Sequence, residues 1–217
     1  MAKRFLPRRL ATLVLAWIAL SMCAGAQVKR IGALSGTGAS DALKRAVEDK
    51  GHRVTLDDGW TAEFWFAKQL RTAAQDVPGA LYPELANGEF VGVISLPKGM
   101  TDFRGQAIPA GTYTLRYQLL PQDGNHLGVA PNPDFLLAIP VAGDPNPDQN
   151  YPFKKLVALS AQTTGTNHPA VIALDTAGEP GSIAKALPNE TLLTVQLTTA
   201  TGGGEKLGIV VKGTAAQ

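Results

Sequence analysis

The sequence predicts a mainly β fold: a single-domain antiparallel β-sandwich of about eight strands with two short helices. Three observations lead there. Short alternating or wholly apolar runs recur between turn-forming dipeptides. Only two segments carry helical spacing, so the strands lack the intervening full-length helices that a parallel βαβ sheet needs. Fifteen prolines break the 217-residue chain into short pieces, and no repeat period is apparent.

Residues 27–40 read as a flexible lead-in, Gly- and Ser-rich over 35–40, and residues 41–217 as the β domain. In 41–50 the apolar Ala42, Leu43, Ala46 and Val47 fall at helical spacing, with Ser40 as N-cap and Gly51 as the stop. Strands 52–57 and 61–66 flank Asp58-Gly59, a tight-hairpin pair. The apolar run 90–96 ends at Pro97, and the chain turns again at Pro109-Ala110-Gly111. Residues 112–119 alternate, with Tyr113, Leu115, Tyr117 and Leu119 on one face and Thr112, Thr114, Arg116 and Gln118 on the other. Residues 134–141 are apolar on both faces, which places that strand mid-layer. A second helix follows Pro152, then a short strand over 171–175. The chain ends in a hairpin that turns at Gly202-Gly203-Gly204.

Residues 1–26 have the form of a bacterial signal peptide. Lys3, Arg4, Arg8 and Arg9 precede an apolar stretch shorter than the roughly 20 residues of a membrane span. Ala24-Gly25-Ala26 then supplies the small-residue pattern that predicts cleavage after Ala26. The mature protein would be periplasmic or secreted, with no later membrane-length apolar run. Arg8-Arg9 is a weak twin-arginine signature. A lipoprotein anchored through Cys23 is the alternative, disfavoured by Met22 where a small residue is usual.

The leader carries four of the 20 basic residues and none of the 18 acidic ones, so residues 27–217 have a formal charge of −2. That balance leaves no electrostatic footprint for nucleic acid. Cys23 is the only cysteine, so the mature chain is no disulfide scaffold, thiol enzyme or cysteine-ligated zinc protein.

Residues 103–117, with the IPAGTYTL run of Ile108 to Leu115, resemble a group of uncharacterised exported proteins of acidobacteria and planctomycetes. Pro121-Gln122-Asp123-Gly124-Asn125-His126 and Gly165-Thr166-Asn167-His168-Pro169 share the likeness. The IPAGTYTL run is also similar to a broader bacterial domain of unknown function. The resemblance implies export and a β-sandwich; it implies no activity and no site residue.

Familiar catalytic signatures are missing: no G-x-S-x-G elbow, no H-E-x-x-H helix and no Walker loop occur. Asp144-Pro145-Asn146-Pro147-Asp148 starts like a calcium loop but has Gln149 and Lys155 where Gly and Glu are needed, so it reads as a solvated connector. Two histidine loops remain. A strand-parity count puts His126 and His168 at one end of the sandwich, along with Asp134 and the 67–89 connection, and Asp102 at the other. His126 and His168 with Asp123 or Asp134 would suit a zinc-like divalent metal. The plainer reading has both histidines capping turns, Asp123-Gly124 being itself a turn signal. Trp65, beside Trp60, is a candidate platform for a sugar ring, against the plainer reading of a buried aromatic.

These features lead to an exported, non-enzymatic binding or accessory protein, whose ligand is a small molecule, glycan or protein. The alternative is a metal-dependent hydrolase-like enzyme, in which a metal-bound water at the His126/His168 site attacks the substrate.

Overall fold

The computed structural model describes residues 25–73, 75–121, 130–185 and 190–213. In chain order the elements are β1 (Gln27–Ile31), α1 (Asp41–Ala46), β2 (Gly51–Thr55), β3 (Thr61–Phe66), β4 (Phe90–Leu96), β5 (Met100–Thr101), β6 (Ala107–Ile108) and β7 (Gly111–Leu119). There follow β8 (Asp134–Pro140), α2 (Phe153–Thr164), β9 (Ala170–Asp175), β10 (Ile183–Lys185), β11 (Thr191–Thr198) and β12 (Gly204–Lys212). The mainly β class with two helices holds. The sheet architecture differs from the expected sandwich: ten strands form one continuous antiparallel ladder in the order β1-β2-β3-β4-β7-β8-β9-β12-β11-β10. β5 and β6 form a separate hairpin.

The single sheet curls until its two ends approach each other, because one face carries the core of both halves. Val54, Phe64, Ile94 and Leu115 belong to the same buried cluster as Leu193, Val195, Leu207 and Ile209. The inward set Tyr113, Leu115, Tyr117 and Leu119 is the one that the alternation predicts. Near one end of the curled sheet the chain after β3 crosses to β11: Leu70 forms a parallel bridge with Thr199, donates to the Thr198 carbonyl (2.9 Å) and accepts from the Ala200 N–H.

The local signals hold in part. Ser40 caps α1 through its hydroxyl, which accepts from the Leu43 N–H. That helix ends at Ala46, five residues before the expected stop, and Gly51 opens β2 instead. A Cβ at Gly51 would lie 2.6 Å from the Trp65 indole nitrogen, so close packing accounts for this glycine. The Asp58-Gly59 hairpin forms as expected, with Gly59 at φ 76°. The lead-in does not stay apart from the domain: residues 27–31 pair with β2 along their length, and Val28 and Ile31 pack on the core.

Outside the sheet, α2 covers β8 and β9, with Leu156 and Leu159 against Phe135, Leu137, Ile139 and Val171. That cover explains why β8 is apolar on both faces. Phe103 of the β5–β6 connection packs on a smaller outer cluster of Ala173, Leu192 and Val210. None of the described helices is long and apolar enough to cross a membrane.

Candidate functional site

Two ends of the curled sheet organise the polar groups. At the first, Tyr82 bonds to β7, β9 and β12. Its hydroxyl donates to the Asp175 carbonyl (2.6 Å) and accepts from the Gly208 N–H (2.8 Å). Asp134 is fully buried there, its Oδ2 accepting from the N–H groups of Leu81 (2.9 Å) and Tyr82 (2.7 Å). Tyr117 donates to the Tyr82 carbonyl (2.7 Å). Burial pushes the Tyr82 hydroxyl up to about 12 and the Tyr117 hydroxyl higher still, so both stay protonated. Asp134 therefore clamps the 75–89 segment over this end of the sheet.

His168 lies at the opposite end, beside the start of β9. It is exposed, and its carbonyl accepts from the hydroxyls of Thr164 (2.7 Å) and Thr166 (3.2 Å). Asp102 shares this end: it organises the β5–β6 turn, and Gln106 of that turn donates to the Pro169 carbonyl. The parity count thus errs for His168, which is remote from Asp134. Asp123 and His126 lie outside the described residues. The residues that flank them, Leu119 to Pro121 and Ala130 to Asp134, are at the Asp134 end. Among the described residues no group of three His, Cys, Asp or Glu side chains is placed to hold a metal ion.

The error comes from the 142–151 connector, expected to be a local solvated turn. It crosses the outer face of the sheet from one end to the other, and α2 then brings the chain back. Arg116 holds it down. Arg116 and Asp144 are both fully buried and pair through two contacts, Nε to Oδ2 (2.8 Å) and Nη2 to Oδ1 (2.7 Å). The remaining guanidinium hydrogens go to the carbonyls of Gly88, Asn146, Pro147 and Gln149. Phe90 and Tyr151 stack on the guanidinium from 5.5 and 5.6 Å. Asp144, the first position of the calcium-like loop, is committed to an arginine and to the Thr114 hydroxyl.

Trp65 is also placed differently from a sugar platform. It is 4% exposed and its indole N–H donates to the Gly32 carbonyl (2.9 Å), so no ring face is open to a ligand. Trp60 is half-buried, and its N–H donates to the Gly99 carbonyl (2.8 Å). With Met100 and Val211 it lines a cleft of about 340 Å³.

A cleft of about 550 Å³ lies between Arg45, Lys68 and Arg71 and the Pro147-Asp148 stretch of the connector; two others lie along the seam where the sheet has its two edges. β1 and β10 are the terminal strands of the ladder, and no pairing joins them among the described residues. Toward the Asp58 turn the seam widens into a cleft of about 490 Å³, with Ala26, Leu56 and Asp57 on one side and Ile183, Lys185 and Glu190 on the other. Toward the other end a cleft of about 350 Å³ lies between Arg30, His52 and Phe66 and the Gly181 and Leu197 side. Each seam cleft holds a buried polar atom without a partner: Oε2 of Glu190 in the first, Nδ1 of His52 in the second. Burial, helped by the Arg30 charge, pushes the His52 imidazole down to about 4, so the ring is neutral at pH 7.

Sequence reasoning assigns no role to His52 and passes over Glu190 altogether. No local signal marks either one, because each is isolated by strands distant in sequence. Comparison with known proteins returned no match, whether to a family model, a curated protein or a solved structure.

Proposed function

We propose that this chain is an exported, non-enzymatic binding or accessory protein of the periplasm or the extracellular space, and that its ligand enters the seam between β1 and β10. One observation carries the reading. Among the described residues no pairing joins the sheet's two edges, and clefts of about 490 and 350 Å³ open there, within the size range of ligand sites. Both are lined from the two sheet edges by a mixture of apolar and polar side chains, charged ones among them. The leader-like first 26 residues support export, with maturation at Gln27.

The test has two arms. Expression in a bacterium with the native leader should yield a periplasmic or secreted chain whose mass corresponds to a start at Gln27. A small-molecule fragment screen by ¹H–¹⁵N NMR on that chain should then shift amides of Leu56, Ile183, Thr191 or Val195. An uncut chain retained in the cytosol refutes the export half. Fragments that shift only residues away from the seam refute the binding half.

A further inference from the structure

We propose that the seam cleft beside the Asp58 turn binds an organic cation, a protonated amine on an apolar stem, with the Glu190 carboxylate as its counter-charge. The inference rests on the binding reading above and adds the chemistry of the ligand.

Glu190 is 6% exposed and lines this cleft, and its Oε2 has no hydrogen-bond partner. An ionised carboxylate only accepts hydrogen bonds, so the group that completes it must donate. A buried acceptor left unmatched is costly, and a charged one more so. A cationic donor removes both costs, whereas an anion would add repulsion. Burial, and secondarily the charge of Asp175, push the Glu190 carboxyl above its ordinary range, as expected for a carboxylate that lacks its counter-charge.

The other charges at the cleft do not supply that partner. Lys212 is paired with Asp58. Asp57 and Lys185 are exposed and opposite in sign, so their fields largely cancel in water. A bare metal ion fits poorly, because no three metal-ligating side chains converge among the described residues. The walls beside Glu190 are Leu56, Ile183 and Ala184, which suit a hydrocarbon stem. At about 490 Å³ the cleft has room for an aromatic or short aliphatic amine.

The experiment is an NMR titration at low ionic strength with phenethylammonium, run beside its neutral isostere 2-phenylethanol and the anion 3-phenylpropionate. The wild-type chain should shift its Leu56, Ile183 and Thr191 amides with the amine, and should bind the alcohol and the acid at least about tenfold more weakly. Glu190→Gln, its fold verified by an unchanged spectrum elsewhere, should lose that preference. Equal binding of amine and alcohol, or undiminished amine binding by Glu190→Gln, would overturn the proposal. If other fragments shift the seam and the amine does not, the cation assignment falls while the binding reading stands. If no fragment shifts it, both fall. The titration is repeated on the uncut chain, because cleavage after Ala26 would create a new ammonium beside the same cleft. Amine binding by the uncut chain alone would mean that the protein's own N-terminus is the counter-charge, and the ligand proposal would be wrong.

Discussion

Removing Arg116 tests most directly how the outer face is held together. In Arg116→Met the Asp144 carboxylate stays fully buried and keeps only the Thr114 hydroxyl (2.7 Å). Removing one partner of a buried pair typically costs about 3–5 kcal/mol. The Gly88 and Pro147 carbonyls lose their donor as well, and a buried orphan acceptor costs about 1–3 kcal/mol. These losses overlap, because the connector can lift and readmit water. The expected cost is therefore about 3–5 kcal/mol, or roughly 6–20 °C in Tm for a domain of this size. Asp144→Asn should cost a comparable amount by stranding the guanidinium. The double variant Arg116→Met/Asp144→Asn removes both charges and should be at least about 1 kcal/mol more stable than either single variant. Urea unfolding measures all three, and limited proteolysis reports whether residues 142–151 have come loose. A cost below about 1 kcal/mol for Asp144→Asn with the connector still protected, or a double-variant cost equal to the sum of the singles, would refute the coupling.

Three further outcomes follow from the same geometry. The His52 ring has its folded value lowered to about 4 from the ordinary 6.5, so its contribution is complete above pH 6.5 and is lost as pH falls toward 4. For this half-buried ring, solvent screening reduces the effect to about 1–2 kcal/mol. Urea midpoints at pH 7 and pH 4.5 should therefore differ more in wild type than in His52→Leu, and equal differences would refute the assignment. Burial, then the nearby charge of Glu84, raise the Glu205 carboxyl, so its ionised form opposes folding once pH exceeds the unfolded value of about 4.5. Glu205→Gln should accordingly be more stable than wild type at pH 7.5 and match it at pH 3.5, as a pair of thermal melts can check. Gly51→Ala would drive a methyl against the Trp65 indole nitrogen at 2.6 Å and the Phe64 carbonyl at 2.9 Å. A loss of about 1–3 kcal/mol is expected from such overpacking, and an unchanged Tm would mean that the β2–β3 edge yields freely.

How much of this was legible in the sequence depended on whether a signal was local. The β7 alternation could be read because one face enters the core along the whole strand, and β8 because α2 buries its second face. β1 was missed because Lys29 and Arg30 interrupt its apolar residues and its place depends on pairing with β2. β5, β6 and β10 have two or three residues each, too few to show any period. Alternation says which side chains point inward but not which strands share a ladder, so a curled ten-stranded sheet and a two-sheet sandwich read alike. The His126/His168 pairing rested on a parity count that one crossing connector overturned, and nothing local shows that Arg116 would pull residues 142–151 across the sheet. Glu190 was invisible for a related reason: its isolation arises where β10, β11 and the Asp58 turn converge.

The open edges also bear on how a seam could bind without promoting aggregation. An unpaired strand edge is a template for further pairing unless it is short, charged or covered. β1 has five residues and exposes Lys29 and Arg30; β10 has three and exposes Lys185. Both edges are therefore poor templates for a long added strand, and their cationic side chains repel a second copy of the same edge. Such blunting would also weaken any ligand held mainly by strand addition, which depends on a run of backbone hydrogen bonds. A small molecule held by side chains within a cleft escapes that restriction. For the proposed seam site, the edge chemistry thus favours a compact ligand over an extended peptide, which is the kind of ligand that the Glu190 proposal names.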